Sequence, residues 1–305
     1  MFDVVTMGRI GVDVYPLQIG VSLREVSSFG KYLGGSSTNV AVAAARYGRK
    51  VATITRTGRD PFGEFLHDAL QGFGVDDRWV TPVDGLPTPV TFCEIFPPDD
   101  FPLYFYREPT APDLRIAADE LDYDAIARAK VFWATVTGLS EEPSRSATLA
   151  ALRAARGITV LDLDYRPMFW DSREEARRWV QEALPYVNVA VGNLDEWETA
   201  VGSRDPRIAA TTPLDLAVVK QGPKGVLARR GEEWAEVPPV PVEVVNGLGA
   251  GDAFGGALCH ALLGDWPLER AMRFCNAAGA LVASRLACAD AMPTEDEVEG
   301  MLAHA

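Results

Sequence analysis

The sequence predicts a doubly wound α/β fold, a mostly parallel sheet with helices on both faces, as a single domain over residues 1–305. Two observations predict it. Short β-branched runs recur along the chain: FDVVTM, VATITRT, VFWATV, ITVLDLD, VNVAVG and LAVVKQG. Segments of helical period lie between them, at 36–48, 61–73, 143–156, 173–184 and 194–201. Two further segments, 10–34 and 87–108, carry strand-like pieces with no helix between them.

Each element has a local reason. The strand runs are too short for helices and too apolar for an exposed sheet face, so they read as buried strands. The helix over 36–48 follows Gly34-Gly35, and that over 194–201 follows Asn193, a good N-cap. After VVKQG come two short β segments, GVLARR and EWAEVPPVPVEVV. The last third is helical, at 250–264, 267–285 and 294–303, the last opened by Pro293-Thr294. The segments 10–34 and 87–108 are expected to form a small projecting sheet of antiparallel strands. It serves either as a lid over a ligand or as an oligomer contact, and Phe92, Ile95, Leu103 and Phe105 supply apolar side chains for a second subunit.

Charge and cysteines narrow the class. A net charge of −14 argues against a nucleic-acid binder, which needs a basic face. Cys93, Cys259, Cys275 and Cys288 show neither metal-ligand spacing nor a disulfide framework and read as buried thiols in a reducing compartment. The longest apolar stretches, such as CNAAGALVASRLACA, are broken by Asn276 and Arg285, so no membrane span is expected. The chain opens into a β-like run with no basic leader. A cytoplasmic protein is the expectation.

Residues 244–258, VVNGLGAGDAFGGAL, are rich in glycine where a helical period begins. Glycine costs roughly 1 kcal/mol per residue inside a helix, so something must require it. Gly249, Ala250 and Gly251 fall where loop becomes helix, and small residues there let an anion reach unpaired N–H groups. Shaping a turn is the structural alternative. Asp252, in the first turn, favours chemistry: it would repel a resting phosphate but suits a base taking a proton from a hydroxyl that attacks a phosphoryl group. A second glycine pair, Gly34-Gly35, precedes a helix carrying Asn39 in its first turn, an arrangement suited to a polyhydroxylated ligand or simply to a tight turn.

Together GGSSTNVAVAAARYG and GLGAGDAF resemble, in order and position, the two signatures of the PfkB (ribokinase-like) carbohydrate kinases. The resemblance covers essentially the whole chain and implies ATP-dependent phosphorylation of a sugar hydroxyl. It implies that Asp252 is the catalytic base and Gly249, Ala250 and Gly251 the anion hole. Gly34, Gly35, Asn39 and Asp13 (in GRIGVDVYP) would bind the sugar. GNLDEWE matches an Asn-x-x-Glu element, so Asn193 would contact ATP and Glu196 would organise Mg²⁺ and its waters; a helix capping box fits the same spacing. Lys220, Gly222 and Gly225 of VVKQGPKG, with Asn276, would contact the nucleotide. Relatives that read Asp-Thr before the catalytic glycines hold a monovalent cation there. This chain has Asn246-Gly247 instead, which leaves that cation undecided.

LDLDYRPMFW resembles an element of the branch that phosphorylates keto-deoxy sugar acids, and FGKYLGG, PLYFYREPTAPDL and ADAMPTEDEVE resemble members acting in inositol breakdown. The implied reaction is phosphorylation of the 6-hydroxyl of 5-dehydro-2-deoxy-D-gluconate. Phosphorylation of 2-dehydro-3-deoxygluconate, or of fructose or ribose, is the alternative. A sugar acid needs a local cation, and Arg107 and Lys31 are the candidates, with Arg166 expected on the ATP phosphates. A sensor without catalysis would have no use for Asp252. A homodimer through the lid is the expected assembly.

Overall fold

The computed structural model describes residues 1–304. Its strands are β1 (Val4–Met7), β2 (Gly11–Pro16), β3 (Phe29–Gly34), β4 (Val51–Gly58), β5 (Val75–Val83), β6 (Val90–Cys93), β7 (Leu103–Tyr106), β8 (Val131–Thr135), β9 (Ile158–Asp162), β10 (Val189–Asn193), β11 (Leu216–Lys220), β12 (Val226–Arg230) and β13 (Glu233–Val237). Nine of them form one sheet in the order β13-β12-β11-β10-β9-β8-β1-β4-β5. It is parallel from β5 through to β11, while β12 and β13 each pair antiparallel with the strand before.

The expected buried strands are explained by two cores. Val4, Trp133, Val160, Val191 and Val218 pack into one, and their neighbours Val5, Phe132, Leu161, Ala190 and Val219 into the other. Alternate side chains thus feed opposite faces, so both must be apolar. The first core is closed by α1 (Ser36–Arg46), α2 (Pro61–Gly72) and, beyond the shorter helices, by the C-terminal helices. The shorter ones, α3 (Tyr123–Arg128), α4 (Ser144–Ala154), α5 (Arg173–Ala183), α6 (Leu194–Val201) and α7 (Pro206–Ala210), cover the other face. The C-terminal helices are α8 (Ala250–Leu263), α9 (Leu268–Ala283) and α10 (Glu295–Leu302).

The glycines of α8 now have a reason. A Cβ on Gly256 would collide with Ala43 of α1, and one on Gly255 would lie 2.7 Å from the Trp133 ring. The two helices therefore touch backbone to backbone, which sets the start of α8 beside the start of α1.

A separate four-stranded sheet has the order β3-β2-β6-β7. The expectation of antiparallel strands holds for β2–β3 and β6–β7 but not for β2–β6, which is parallel. The reason lies in the parent sheet: β2 follows β1 and β6 follows β5, and β1 and β5 run in the same direction. Other departures are local. Residues 238–245 form no strand, since Pro238, Pro239 and Pro241 offer no N–H to a ladder. Strand β5 escaped the sequence reading because, at the sheet edge, its Asp76-Asp77-Arg78 stretch is partly exposed and hides the apolar pattern. No helix among the described residues is long and apolar enough to cross a membrane.

Candidate active site

The C-terminal ends of the parallel strands, the starts of α1 and α8 and one face of the small sheet enclose a cleft of about 250 Å³. Register decides which lid side chains face it. Tyr32, Asp13, Thr91 and Phe105 form one row across all four strands, and Asp13, Thr91 and Phe105 line the cleft. The next row, Lys31, Val14, Phe92 and Tyr104, belongs to the opposite face. A larger cavity, about 770 Å³, opens between loop 237–241 and the end of α10, but it gathers none of the acidic residues described below.

The N-cap of α8 is Gly249, whose φ of 82° is left-handed and whose Cβ, were there one, would lie 2.6 Å from Cys288 Sγ. No described side chain caps this helix, so its first N–H groups face the cleft unclaimed. The ammonium of Lys220, at the end of β11, lies 3.2 Å from where a Gly251 Cβ would stand. Uncapped amides and a half-buried ammonium are groups suited to an anion. Burial works against the Lys220 charge, but Glu196, Asp162, Asp252 and Asp164 outweigh it and raise its pKa, so it stays protonated.

Asp252 Oδ2 accepts from Asn39 Nδ2 at 2.8 Å, joining the starts of α8 and α1. Burial pushes its carboxyl up to about 6, with Asp164 adding to the rise and Asn39, Arg9 and Lys220 resisting it. Asp13 is likewise raised by burial to about 6, although the Tyr15 hydroxyl donates to its Oδ2 at 2.9 Å. Tyr15 also lies 2.7 Å from Cys288 Sγ. Gly34 rests against the Asp13 carboxylate and Gly35 against the Arg9 carbonyl.

Asp164, two residues past the end of β9, is the hub. It accepts from Ser36 Oγ at 2.7 Å and Thr137 Oγ1 at 3.1 Å, and pairs with Arg166 at 2.7 Å and Arg9 at 3.3 Å. Burial opposes its charge, but these partners hold its carboxyl below the usual range, while burial, helped by the Asp164, Glu196 and Asp252 carboxylates, pushes Asp162 up against the pull of Lys220. Arg166 also meets Glu196 Oε1 at 3.3 Å.

Of the residues singled out from sequence, Asp13, Gly35, Asn39, Arg166, Asn193, Glu196, Lys220, Gly249, Gly251 and Asp252 line this one cleft. Asn193 and Glu196 form the capping box of α6: Asn193 Oδ1 accepts from the Asp195 and Glu196 N–H at 2.9 Å, and Glu196 Oε2 from the Asn193 N–H at 2.7 Å. Gly222 and Gly225 sit in the turn after β11, and Asn276 Nδ2 donates to the Pro238 carbonyl at 2.9 Å, all three outside the cleft lining. Asn246 donates to the Leu286 carbonyl at 2.7 Å and accepts from the Leu248 N–H at 3.1 Å.

Two expectations fail on geometry. Arg107 donates to both oxygens of buried Asp113, at 2.6 and 3.2 Å, and lines a neighbouring depression with Glu108 and Glu141. Lys31, a single residue off the Asp13 row, lays its ammonium 3.8 Å from the centre of the Phe65 ring. Neither reaches the cleft. Arg9 lines the cleft beside Lys220 and Arg166, and the sequence pattern had not singled it out; Asp164 and Cys288 were missed with it. The second Asp of LDLD was a visible signal for Asp164, and GRIGVD for Arg9. Cys288 had none, since a loop brings it in from the far end of the chain.

Residues 1–295 match the model of the pfkB family of carbohydrate kinases. The chain belongs to this family. The pfkB chain is 34% identical to the 5-dehydro-2-deoxygluconokinase of Geobacillus thermodenitrificans over 316 residues, covering 99% of this chain and 93% of that protein. It is 31% identical to that of Listeria monocytogenes over 315 residues, covering 100% and 97%. The fold matches a fructokinase with bound ATP from Xylella fastidiosa (TM-score 0.86, 24% identity, coverage 100% and 99%). It also matches the Vibrio cholerae fructokinase in its fructose, ADP and calcium ion bound form (TM-score 0.86, 24% identity, coverage 99% and 99%). This pfkB protein is an ATP-dependent sugar kinase of ribokinase-like fold.

Proposed function

We propose that this kinase phosphorylates the 6-hydroxyl of 5-dehydro-2-deoxy-D-gluconate, a step of myo-inositol breakdown in the cytoplasm, with Asp252 as general base. The observation that carries the chemistry is the Asp252 carboxylate, raised to about 6 and set beside an uncapped helix start and the Lys220 ammonium. A carboxylate there repels a resting phosphate, so it is costly unless it serves the transfer. The substrate rests on the names of relatives at 31–34% identity over nearly the full length.

In this reading the substrate hydroxyl lies between Asp252 and the γ-phosphorus. Its oxygen forms the new O–P bond as the bond to the β-phosphate oxygen breaks and ADP leaves. The hydroxyl proton passes to Asp252, whose basicity near 6 keeps it ionised at neutral pH yet able to accept. The N–H groups of Ala250, Gly251 and Asp252 and the Lys220 ammonium hold the charge on the transferring group. Asp13, Asn39 and the Gly34-Gly35 backbone hold the sugar hydroxyls. The buried, unpaired Asn39 Oδ1 is one acceptor waiting for such a donor.

No group of three or more acidic, His or Cys side chains among the described residues is arranged to hold a metal ion. Glu196 already has one oxygen on Arg166 and the other on a backbone N–H. That suits Mg²⁺ carried by the nucleotide phosphates and reached by Glu196 through water, because Mg²⁺ sheds its waters reluctantly. Mg²⁺ would neutralise phosphate charge and align the phosphates.

The test is ADP release measured over a panel of 5-dehydro-2-deoxygluconate, 2-dehydro-3-deoxygluconate, fructose and ribose. The first should give the highest kcat/KM. A preference for 2-dehydro-3-deoxygluconate would overturn the named substrate, and a preference for fructose or ribose would overturn the sugar-acid reading altogether.

A further inference from the structure

We propose that Arg9 is the residue that recognises the substrate carboxylate and so sets specificity for sugar acids; this rests on the sugar-acid reading above. A carboxylate entering a cleft that already holds Asp13, Asp162, Asp164, Glu196 and Asp252 needs a cation with donors to spare. The cations can be taken in turn. Arg107 is spent on Asp113, and Lys31 lies on the other face of the lid sheet. Arg166 already serves Asp164, Glu196 and its neighbour's carbonyl. Lys220 lies at the start of α8, where the transferring phosphate belongs.

Arg9 is different. Among the described residues its guanidinium has one partner: Nη2 donates to Asp164 Oδ2 at a long 3.3 Å. Its Nε is buried with no partner at all. Buried donors left unpaired are uncommon in native folds, and the side chain that carries this one lines the cleft. Arginine presents N–H groups in a planar fork that matches a carboxylate through two parallel bonds.

Placement agrees with the role. Arg9 lies between β1 and Asp13, so its backbone is set by the central sheet on one side and the lid on the other. Its guanidinium carbon is 5.6 Å from the centre of the Phe105 ring on lid strand β7. A carboxylate bound there is partly shielded from water by that ring, which strengthens the pairing. Asp164 acts as the positioning residue: it tethers Nη2 and leaves Nε free.

The experiment compares the keto-deoxy sugar acid with its own carboxamide, two substrates that differ at this one group, in the native enzyme and in Arg9→Gln and Arg9→Lys. The native enzyme should favour the acid by roughly a hundredfold or more in kcat/KM, the scale of a desolvated charge pair. Arg9→Gln should bring that ratio to within about threefold of one, chiefly through KM for the acid. Arg9→Lys, which keeps the charge but loses the fork, should give an intermediate ratio. Thermal melting and binding of a nonhydrolysable ATP analogue check that each variant folds. If Arg9→Gln does not fold, Arg9→Lys decides alone, through a ratio at least tenfold below native. Equal losses on both substrates would make Arg9 a mere support for Asp164 and overturn the proposal. A native enzyme that does not distinguish acid from amide overturns the sugar-acid reading, and this proposal with it.

Discussion

Replacing Asp252 by Asn separates what this carboxylate does in catalysis from what it costs the fold. The change keeps the shape and an oxygen for Asn39 Nδ2, now 2.8 Å away, but removes the ability to ionise. As a lost general base it should lower kcat by roughly two to four orders of magnitude. With the native carboxyl near 6, kcat/KM should fall about tenfold for each pH unit below that value. Stability should move the other way. A carboxyl held near 6 rather than the usual 3.8 is more at ease protonated, so its contribution is fully present below about 4 and is lost as pH rises through 6. At about 1.36 kcal/mol per pH unit that gap is worth up to about 3 kcal/mol, and water in the cleft reduces it to roughly 1–3. Asp252→Asn should therefore melt roughly 2–5 °C above the native enzyme at pH 8, and level with it at pH 4. The assays are ADP release from pH 5 to 8 and thermal melting of the ligand-free proteins. Turnover within tenfold of native, or no gain in stability at pH 8, would refute the reasoning.

Two other expectations follow from the same geometry. Gly249→Ala forces a side chain into a left-handed φ and against Cys288, at a cost of about 1–3 kcal/mol, so both melting temperature and turnover should fall; a variant with native melting and native rate would show that this cap is not needed. The outward face of the lid sheet carries a ladder of aromatics, with Phe29 5.8 Å and Tyr106 5.5 Å from Phe92 between ring centres, and Tyr104 exposed beside them. We propose that this face pairs two copies: sedimentation should give a native dimer and a monomeric Tyr106→Asp, and a native monomer at micromolar concentration would sink the idea.

Several features were legible in the chain itself. Strand and helix positions in the main sheet followed from apolar runs whose alternate residues feed two cores, a pattern set by covalent spacing alone. The uncapped start of α8 could be read too, because backbone N–H groups at a helix start are local and need only small residues around them. Asn193 and Glu196 were readable as a capping box for the same reason.

What tertiary structure decided was which side chains face the cleft and which partners they already have. Arg107 and Lys31 looked suited to a sugar acid by type and by neighbourhood. One is neutralised by Asp113 through the fold of the loop after β7, and the other falls one residue off the inward row, which only the sheet register shows. The inward lid residues are Leu103 and Phe105 and the outward ones Tyr104 and Tyr106, so the expected apolar dimer set divides between the two faces: Phe92 stays outside, Leu103 and Phe105 turn to the cleft, and Ile95 is buried. Arg9 and Asp164, 155 residues apart, become partners only because β1 and β9 flank β8 in the same sheet. Local sequence dictates conformation through short-range sterics and hydrogen bonds, whereas the charge balance of a buried cleft is set by residues the fold brings together from distant parts of the chain.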